Sequence, residues 1–180
     1  MRCFGDNSQG QAPPEGLEGP FAQVAAGGDF SVGLSPAGEV SSWGRHLAGA
    51  ERLQGRRFVQ IAAGGGHALA LDAEGWVTCW GANGGGQAPP EGVPGPFVQV
   101  AAGALHSLGL RADGQIFAWG SNRMGQAPRE PIRGAHVAVA AGYDHNMALS
   151  ADGTVKFWGD NRYGQAPPLV EGGPFGKPQP

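Results

Sequence analysis

The sequence predicts an all-β fold of β-propeller blades, and three repeated markers carry that prediction. An aromatic residue followed by Gly recurs in steps of 39, 37, 39 and 39 residues, at Phe4, Trp43, Trp80, Trp119 and Trp158. An Ala-Ala-Gly triplet recurs at 25–27, 62–64, 101–103 and 140–142. A ring residue follows each triplet in phase, at Phe30, His67, His106 and His145. One shared period indicates a repeat protein, in which each unit buries its apolar surface against its neighbours.

The first strand of each repeat is predicted from residues such as 97–103, Phe-Val-Gln-Val-Ala-Ala-Gly. This stretch has the β-branched content and the turn-bounded length of a strand. A helix would be interrupted at each Gly. Every copy of this strand ends in the small residues Ala-Ala-Gly. Because small residues are needed where backbones from several sheets converge, we expect this strand to lie nearest a central axis.

The second strand begins at the ring residue and alternates large and small side chains. Leu108, for example, lies between Ser107 and Gly109. We therefore expect the large face of each sheet to stack on the small face of the next. A tight hairpin with Gly at a fixed place follows, as in 112–114, because short hairpin loops need a residue with positive φ. The third strand, as in 115–119, ends on the aromatic residue.

Each repeat closes with an Asn-x-x-Gly-Gln turn and an extended Ala-Pro-Pro segment. Pro cannot donate to a central ladder, so this segment is predicted as a fourth strand at the outer edge. Four antiparallel strands in one repeat are typical of a propeller blade. Residues 45–57 of the first full repeat depart from this pattern, and two interpretations stay open: a degenerate outer strand or a specialised contact loop.

The repeat phase predicts one repeat domain, 1–180, made of four full blades and two partial ones. The full blades are predicted at 21–57, 58–96, 97–135 and 136–174. Residues 1–20 are predicted as the C-terminal half of a blade and 175–180 as the start of a further one. Open end faces are expected to expose apolar side chains, namely Val32, Leu34, Met147 and Leu149.

Composition and charge exclude several classes of function. The net charge is −3 with no run of Lys or Arg, whereas a nucleic-acid-binding domain shows a basic face. No apolar run approaches a membrane span, and no secretory signal opens the chain, so we expect the cytosol or the nucleus. Cys3 and Cys79 hold equivalent positions two repeats apart and are predicted to be free thiols, because a disulfide needs Cα atoms within about 7 Å.

The combined motif resembles the regulator of chromosome condensation repeat family over essentially the whole chain. It reads Val-Ala-Ala-Gly-x-x-His-Ser-Leu-x-Leu, Asp-Gly and Trp-Gly-x-Asn-x-x-Gly-Gln, and residues 100–126 carry it best. The unit length is similar to the short bacterial-type repeats, such as those of beta-lactamase inhibitory protein II. The resemblance implies four-stranded blades of a ring of about seven, so about four blades are expected to form an incomplete, open arc.

The same resemblance does not select one function. The family includes nucleotide exchange factors for small GTPases, enzyme inhibitors, photoreceptors and domains of ubiquitin ligases, and one fold hosts many functions. Stacked tryptophans sense light in the photoreceptors, but beyond the isolated Trp76 the chain shows no such cluster. The tryptophans that recur once per blade are instead predicted as packing anchors: Trp43, Trp80, Trp119 and Trp158.

The repeated histidines, His67, His106 and His145, are the obvious candidates for metal ligands. Equivalent positions on successive sheets lie about 10 Å apart, whereas zinc needs each nitrogen within about 2.1 Å. A structural role is therefore expected, with the ring bonded to the backbone near the Ala-Ala-Gly turn. No phosphate loop, calcium loop or catalytic triad occurs outside repeat-locked positions, so we predict a protein without catalytic residues, cofactor or metal.

A binding surface remains as the predicted functional feature. Strand connectivity places the loop after Ala-Ala-Gly and the Asn-x-x-Gly turn on one face of every blade, and the repeats differ there. Aromatic and Arg residues, the usual hot-spot types, cluster on the last two blades. The predicted contact residues are Leu105, Arg123, Met124, Tyr143, Asp144, Arg162 and Tyr163.

We therefore predict a non-catalytic module that binds a partner protein through this loop face. Two alternatives stay open: regulation of a small GTPase by nucleotide exchange, and a structural repeat segment of a larger protein. The partner is expected to be a protein such as an enzyme or a small GTPase, with no direct nucleic-acid or membrane contact. Self-association, or further blades from a longer chain, would cover the open faces.

Overall fold

The computed structural model describes residues 3–167, which form four antiparallel sheets of three strands each. The sheets are named blades 1 to 4. Blade 1 contains β1 (Gln23–Ala26), β2 (Phe30–Leu34) and β3 (Val40–Gly44), and blade 2 contains β4 (Gln60–Ala63), β5 (His67–Leu71) and β6 (Val77–Gly81). Blade 3 contains β7 (Phe97–Ala102), β8 (His106–Arg111) and β9 (Ile116–Gly120), and blade 4 contains β10 (His136–Ala141), β11 (His145–Ser150) and β12 (Val155–Gly159). The predicted start of a further blade at 175–180 lies outside the described residues.

The predicted fourth strand is wrong, because each described sheet has three strands. Its place is taken by isolated β-bridges, in which Val93 exchanges hydrogen bonds of 2.9 and 3.0 Å with Val77, and Ile132 does the same with Ile116. Val93 is followed by Pro94, and Ile132 is preceded by Pro131. Because proline has no N–H to donate, pairing cannot spread from these bridges into a ladder.

The departing segment of blade 1 is not an outer strand, since it contains a short 3-10 helix at Ala50–Leu53. Its role as a contact loop stays a prediction. Leu47 is buried there, and Ala50 and Leu53 pack against the core between blades 1 and 2. The backbone N–H of Gly81 donates to the carbonyl of Ala48 at 2.8 Å. The segment therefore covers the outer edge of blade 2 through apolar contacts rather than a strand.

The blades stack in one direction, because each blade points its large side chains toward the blade that follows it. Leu69 and Cys79 of blade 2 form one buried cluster with Phe97 and Val100 of blade 3. The clusters between blades 1 and 2 and between blades 3 and 4 are built in the same way.

The expectation that both ends expose large apolar residues is therefore half wrong. Val32 and Leu34 are buried against blade 2, since the large face of blade 1 points inward along the stack. Met147 of blade 4 is 39% exposed, because none of the four described sheets lies beyond it.

A glutamine on the first strand of each blade joins it to the next first strand. The Gln60 side chain accepts from the N–H of Val100 at 2.9 Å and donates to its carbonyl at 3.4 Å. Gln23 makes the same pair of bonds with Ile61, at 2.8 and 2.9 Å, and Gln99 with Val139, at 3.0 and 3.2 Å. These first strands lie side by side, as expected for strands nearest an axis.

The two cysteines are free thiols, as predicted. Cys79 is buried between blades 2 and 3, and burial, with a smaller contribution from the charge of Glu91, raises the pKa of its thiol to about 12. Such a thiol is inert, since the thiolate is the reactive form. No helix among residues 3–167 is long and apolar enough to cross a membrane.

Replacing Gln60 by Ala should lower the free energy of unfolding by about 1–3 kcal/mol, because the buried N–H of Val100 loses its partner. Gln54→Ala is the matched control, since Gln54 is exposed after the 3-10 helix. Urea unfolding of both variants measures the difference. Equal losses in the two variants would show that the glutamine bonds do not hold the blades together.

Candidate functional site

The predicted loop face is held in place by the same hydrogen bond in every blade. The residue after each aromatic-glycine pair donates its N–H to the carbonyl of the loop that follows Ala-Ala-Gly. The bond is 2.8 Å long in all four cases: Arg45 to Asp29, Ala82 to Gly66, Ser121 to Leu105 and Asp160 to Asp144. The loops can therefore vary in sequence without changing their position relative to the sheet.

Each Asn-x-x-Gly-Gln turn is shaped by its own Asn and Gln side chains. The Asn Oδ1 accepts from the N–H five residues later at 2.9 or 3.0 Å, in the pairs Asn7–Ala12, Asn83–Ala88, Asn122–Ala127 and Asn161–Ala166. The Gln Oε1 accepts from the N–H two residues earlier, as between Gln165 and Tyr163 at 2.8 Å. The two variable residues of the turn need make no structural bond with their side chains.

The predicted apolar contact residues are exposed on blades 3 and 4. Tyr163 is 88% and Tyr143 77% exposed, whereas Leu105 and Met124 are 47% and 39% exposed. The loops carrying Tyr143 and Leu105 are joined by a 2.9 Å hydrogen bond from the N–H of Ala104 to the carbonyl of Tyr143. These residues therefore belong to one surface, which we call the loop surface.

A shallow groove of about 560 Å³ lies on the loop surface between the turn of blade 2 and blade 3. Leu105 and Arg123 line it, together with Gly84, Gly85 and Ser121. Arg123 is exposed and has no ion pair among residues 3–167. The groove thus combines an apolar side chain with an available cation.

Two of the predicted contact residues are used within the protein. Arg162 binds the carboxylate of Asp160 through two bonds of 3.0 Å, and this contact lowers the pKa of Asp160 and raises that of Arg162. Asp144 accepts from the Nε2 of Gln126 at 3.0 Å. Both side chains fix the turns, so they are less available to a partner than Arg123.

The opposite end of the blades exposes apolar residues that the sequence reasoning missed. Val59, Val98 and Val137 are each more than half exposed at the start of a first strand. Trp76 is also exposed. It lies in the hairpin of blade 2, where the carbonyl of Gly75 accepts from the N–H of Phe97. The signal was visible in the sequence, since a Val precedes the Gln or Ala position in three repeats.

Two of the three repeated histidines, His67 and His106, join neighbouring blades. His67 Nε2 lies 2.8 Å from the Ser107 hydroxyl, and His106 Nε2 lies 2.7 Å from Asn146 Oδ1. The ring partner is thus a side chain of the next blade, not the predicted backbone group. In blade 1 the ring residue is Phe30 and the facing residue is Ala68, so the polar pair is replaced by an apolar one. No metal-binding group of three His, Cys, Asp or Glu occurs among the described residues.

The bonding of these partners identifies the histidines as neutral. Ser107 already donates its hydroxyl to the carbonyl of Gln87 at 3.0 Å, so it accepts from the Nε2–H of His67. Nδ1 of His67 and of His106 is buried without a partner. Burial lowers the pKa of His67 to about 4, assisted by the repulsion that a protonated His106 would exert on it, and burial likewise lowers the pKa of His106.

The tryptophans anchor each blade to the Asn turn that precedes it. Their Nε1 atoms donate to a Gln backbone carbonyl at 3.0 or 3.1 Å, in the pairs Trp43–Gln11, Trp119–Gln87 and Trp158–Gln126. Trp80 is fully buried, yet its Nε1 lacks a partner in the described residues, because blade 1 has no Asn turn. The glycine after the Trp allows this close approach: Gly44 has φ of 91°, and an added Cβ would lie 2.9 Å from the Gln11 side chain.

Comparisons with known proteins agree with this geometry. The sequence model of one protein family, the regulator of chromosome condensation (RCC1) repeat, matches residues 58–87, 97–126 and 137–165. No curated protein matches the chain.

Three solved structures resemble the fold. Human WBSCR16 is 23% identical with a TM-score of 0.73, covering 88% of this chain and 56% of its own. Prp20p from Saccharomyces cerevisiae is 26% identical with a TM-score of 0.64, and the match covers 77% of this chain and 43% of Prp20p. The ectodomain of the Physcomitrella patens receptor kinase CR4 is 26% identical with a TM-score of 0.65, and the match covers 82% of this chain and 42% of the ectodomain. The chain thus spans about half the length of these structures.

The pair of changes His67→Phe and Ser107→Ala should flatten the pH dependence of stability. Since the pKa of His67 is about 4 in the folded chain and 6.5 is the ordinary value for histidine, the unfolded chain binds a proton first as the pH falls. His67 therefore costs about 2 kcal/mol of stability between pH 7 and pH 5. The double variant copies the Phe30–Ala68 pair and should not lose this stability at pH 5. Urea unfolding at pH 7 and at pH 5 measures the free energy of unfolding of both proteins. An unchanged difference between the two pH values would contradict the lowered pKa.

Trp119→Ala should destabilise the protein far more than Tyr163→Ala. Trp119 contacts Phe97, with ring centroids 6.1 Å apart, and bonds Gln87, so its loss should cost about 3–5 kcal/mol. Tyr163 is almost fully exposed, and its loss should cost under about 0.5 kcal/mol. Thermal unfolding compares the two. Similar shifts in melting temperature would refute the division into packing and surface residues.

Proposed function

Because the chain belongs to the regulator of chromosome condensation (RCC1) repeat family, we propose that it is a non-catalytic binding module that holds a partner protein on the loop surface of blades 3 and 4. The module acts as an open arc of four blades, in the cytosol or the nucleus, where its two free thiols stay reduced. No cofactor takes part.

The observation that carries this proposal is the rigid display of two exposed tyrosines. Tyr163 lies in a turn closed by Asn161 and Gln165, and the loop of Tyr143 is bonded to blade 3. A side chain on a fixed backbone loses little conformational freedom on binding, so more of its contact energy appears as affinity. Tyrosine also combines a large apolar ring with a hydroxyl, which suits a protein interface.

The chemistry of the surface indicates what the partner offers. Leu105, Met124 and the tyrosine rings favour an apolar patch, and the unpaired Arg123 favours a carboxylate facing the groove. Protein binding is described for one relative, since the Prp20p structure was presented with the binding of that protein to Gsp1p and histones.

The proposal is tested by affinity capture with the full chain as bait, comparing the double variant Tyr143→Ala/Tyr163→Ala with the control Glu74→Ala. Glu74 is exposed in the hairpin at the opposite end of blade 2. A protein retained by the native chain and the control should bind the tyrosine variant at least about 30-fold more weakly, because hot-spot residues carry about 2 kcal/mol each.

Equal retention of every captured protein by the two variants would overturn the proposal. It would then favour the third interpretation, a structural segment whose loops have no partner. Circular dichroism of each variant checks that folding is unchanged.

Nucleotide exchange on a small GTPase is the second candidate, supported by the family membership and by the match to Prp20p. It is tested by the release of a fluorescent guanine nucleotide from purified small GTPases. Acceleration by the native chain that is lost in the tyrosine variant would establish exchange through the loop surface. Binding without acceleration would leave the simpler binding function.

A further inference from the structure

The slot on the outer side of blade 1 is filled by the chain's own beginning. The slot is formed by Ser31, Trp43 and Gly44, and the N-terminal turn, residues 6–12, occupies it. The carbonyl of Gln11 accepts from the Ser31 hydroxyl at 3.2 Å and from Trp43 Nε1 at 3.0 Å. Between blades 2 and 3, the carbonyl of Gln87 accepts the same two bonds from Ser107 and Trp119, at 3.0 Å each. The N-terminal turn therefore takes the place of the turn of a preceding blade.

Blade 4 carries the complementary half of this contact, which has no partner among the described residues. Its C-terminal turn, residues 160–166, has the same bonds from Asn161 and Gln165 as the other turns. Among residues 3–167, however, no Ser or Trp donates to the carbonyl of Gln165. The ring of His145 bonds no side chain in this range, whereas His67 and His106 each bond the following blade.

The side chains around these polar groups are apolar on both sides. Met147 of blade 4 is 39% exposed, although the equivalent Leu69 and Leu108 are fully buried. On blade 1, Val24 is 48% exposed, although the equivalent Ile61 and Val100 are buried by the blade before them. Each end thus presents one half of the interface that the internal blades already form.

We propose that these two halves bind each other between two copies of the chain by exchange of turns. The C-terminal turn of one copy replaces the N-terminal turn in the slot of the other, and the carbonyl of Gln165 takes over the bonds of Gln11. His145 then donates its Nε2–H to the Ser31 hydroxyl, as His67 does to Ser107. The exchanged turn carries Tyr163 of the proposed partner-binding surface, but the bonds between the two copies are made by Gln165, His145 and Ser31.

A second copy fits because blade 1 has the required serine. The residue facing the ring of the previous blade is Ala68 in blade 2, Ser107 in blade 3 and Asn146 in blade 4, and each of these already has a ring neighbour. Ser31 is the equivalent residue with none among the described residues. The contact would repeat the blade 2–blade 3 interface position by position.

The association should be weaker than the internal contacts, for two reasons. Ala138 stands in blade 4 where Gln23, Gln60 and Gln99 join the first strands of the other blades. The two hydrogen bonds that the slot gains from the C-terminal turn are also offset by the two that it loses when the N-terminal turn leaves. The net gain is the His145–Ser31 bond and the burial of apolar surface at Met147 and Val24, which makes the association reversible.

Two matched variants test the exchange, since each removes the same hydrogen bond from one of the competing turns. Asn7→Ala loosens the N-terminal turn and should tighten self-association of the full chain roughly three- to tenfold. Asn161→Ala loosens the C-terminal turn and should weaken it by a similar factor. Sedimentation equilibrium over a range of concentrations gives the dissociation constants. A chain that stays monomeric at every concentration, or two variants that shift in the same direction, would overturn the proposal.

A second pair of variants tests the new bond. His145→Phe and Ser31→Ala should each weaken association about three- to tenfold, and the double variant should recover most of it, because it recreates the Phe30–Ala68 pair. Glu74→Ala, in the exposed hairpin of blade 2, is the control and should leave association unchanged. Additive losses in the double variant would show that His145 does not face Ser31.

Discussion

The structure depends on the one-way stacking of sheets that cannot bury their own large faces. A single blade cannot bury its own hydrophobic face, so it needs a neighbouring blade to cover that face. Each blade covers the large face of the blade before it, so stability accumulates through contacts between neighbours. The backbone groups at each contact are buried with the side chains and must be paired. The repeated Gln and Trp side chains pair backbone groups one blade away. His67 and His106 bond side chains of the next blade.

The repeat length, the strand positions and the packing of large against small faces could be predicted from the sequence. These features are fixed by local pattern: a period of two along each strand and a glycine at each hairpin. The free cysteines followed from the same periodicity, since Cys3 and Cys79 are equivalent residues of separate repeats. The family resemblance rested on the same motifs, and the matched repeat segments agree with it.

The contacts between blades could not be predicted, because they join residues about 40 positions apart whose pairing depends on the stacking direction. The ring partner of His67 is an example, since Ser107 is its partner only because the large faces point toward the later blade. The same ignorance of direction led to Val32 being assigned to an open face. The missing fourth strand has a different cause: the prolines of the Ala-Pro-Pro segment were interpreted as residues of an edge strand. Among the described residues, the only pairing in that part of blade 2 is the bridge at Val93, and Pro94 after it stops the ladder from extending.

The division of labour within a repeat explains where function can lie. The Asn and Gln of each turn, the Trp and the Ala-Ala-Gly triplet are all occupied by bonds or by close packing, so they cannot vary without a loss of stability. The two residues inside each turn are not needed for these bonds, and Arg123 and Tyr163 hold such positions, whereas Arg162 is bonded to Asp160. Tyr143 lies in the other variable loop, the one after Ala-Ala-Gly. Yet the structural positions acquire a second role at the ends of the stack. There, His145 and Ser31 keep the chemistry of an internal contact but have no such neighbour among residues 3–167. The proposed association of the two ends therefore uses the same contacts that join the blades.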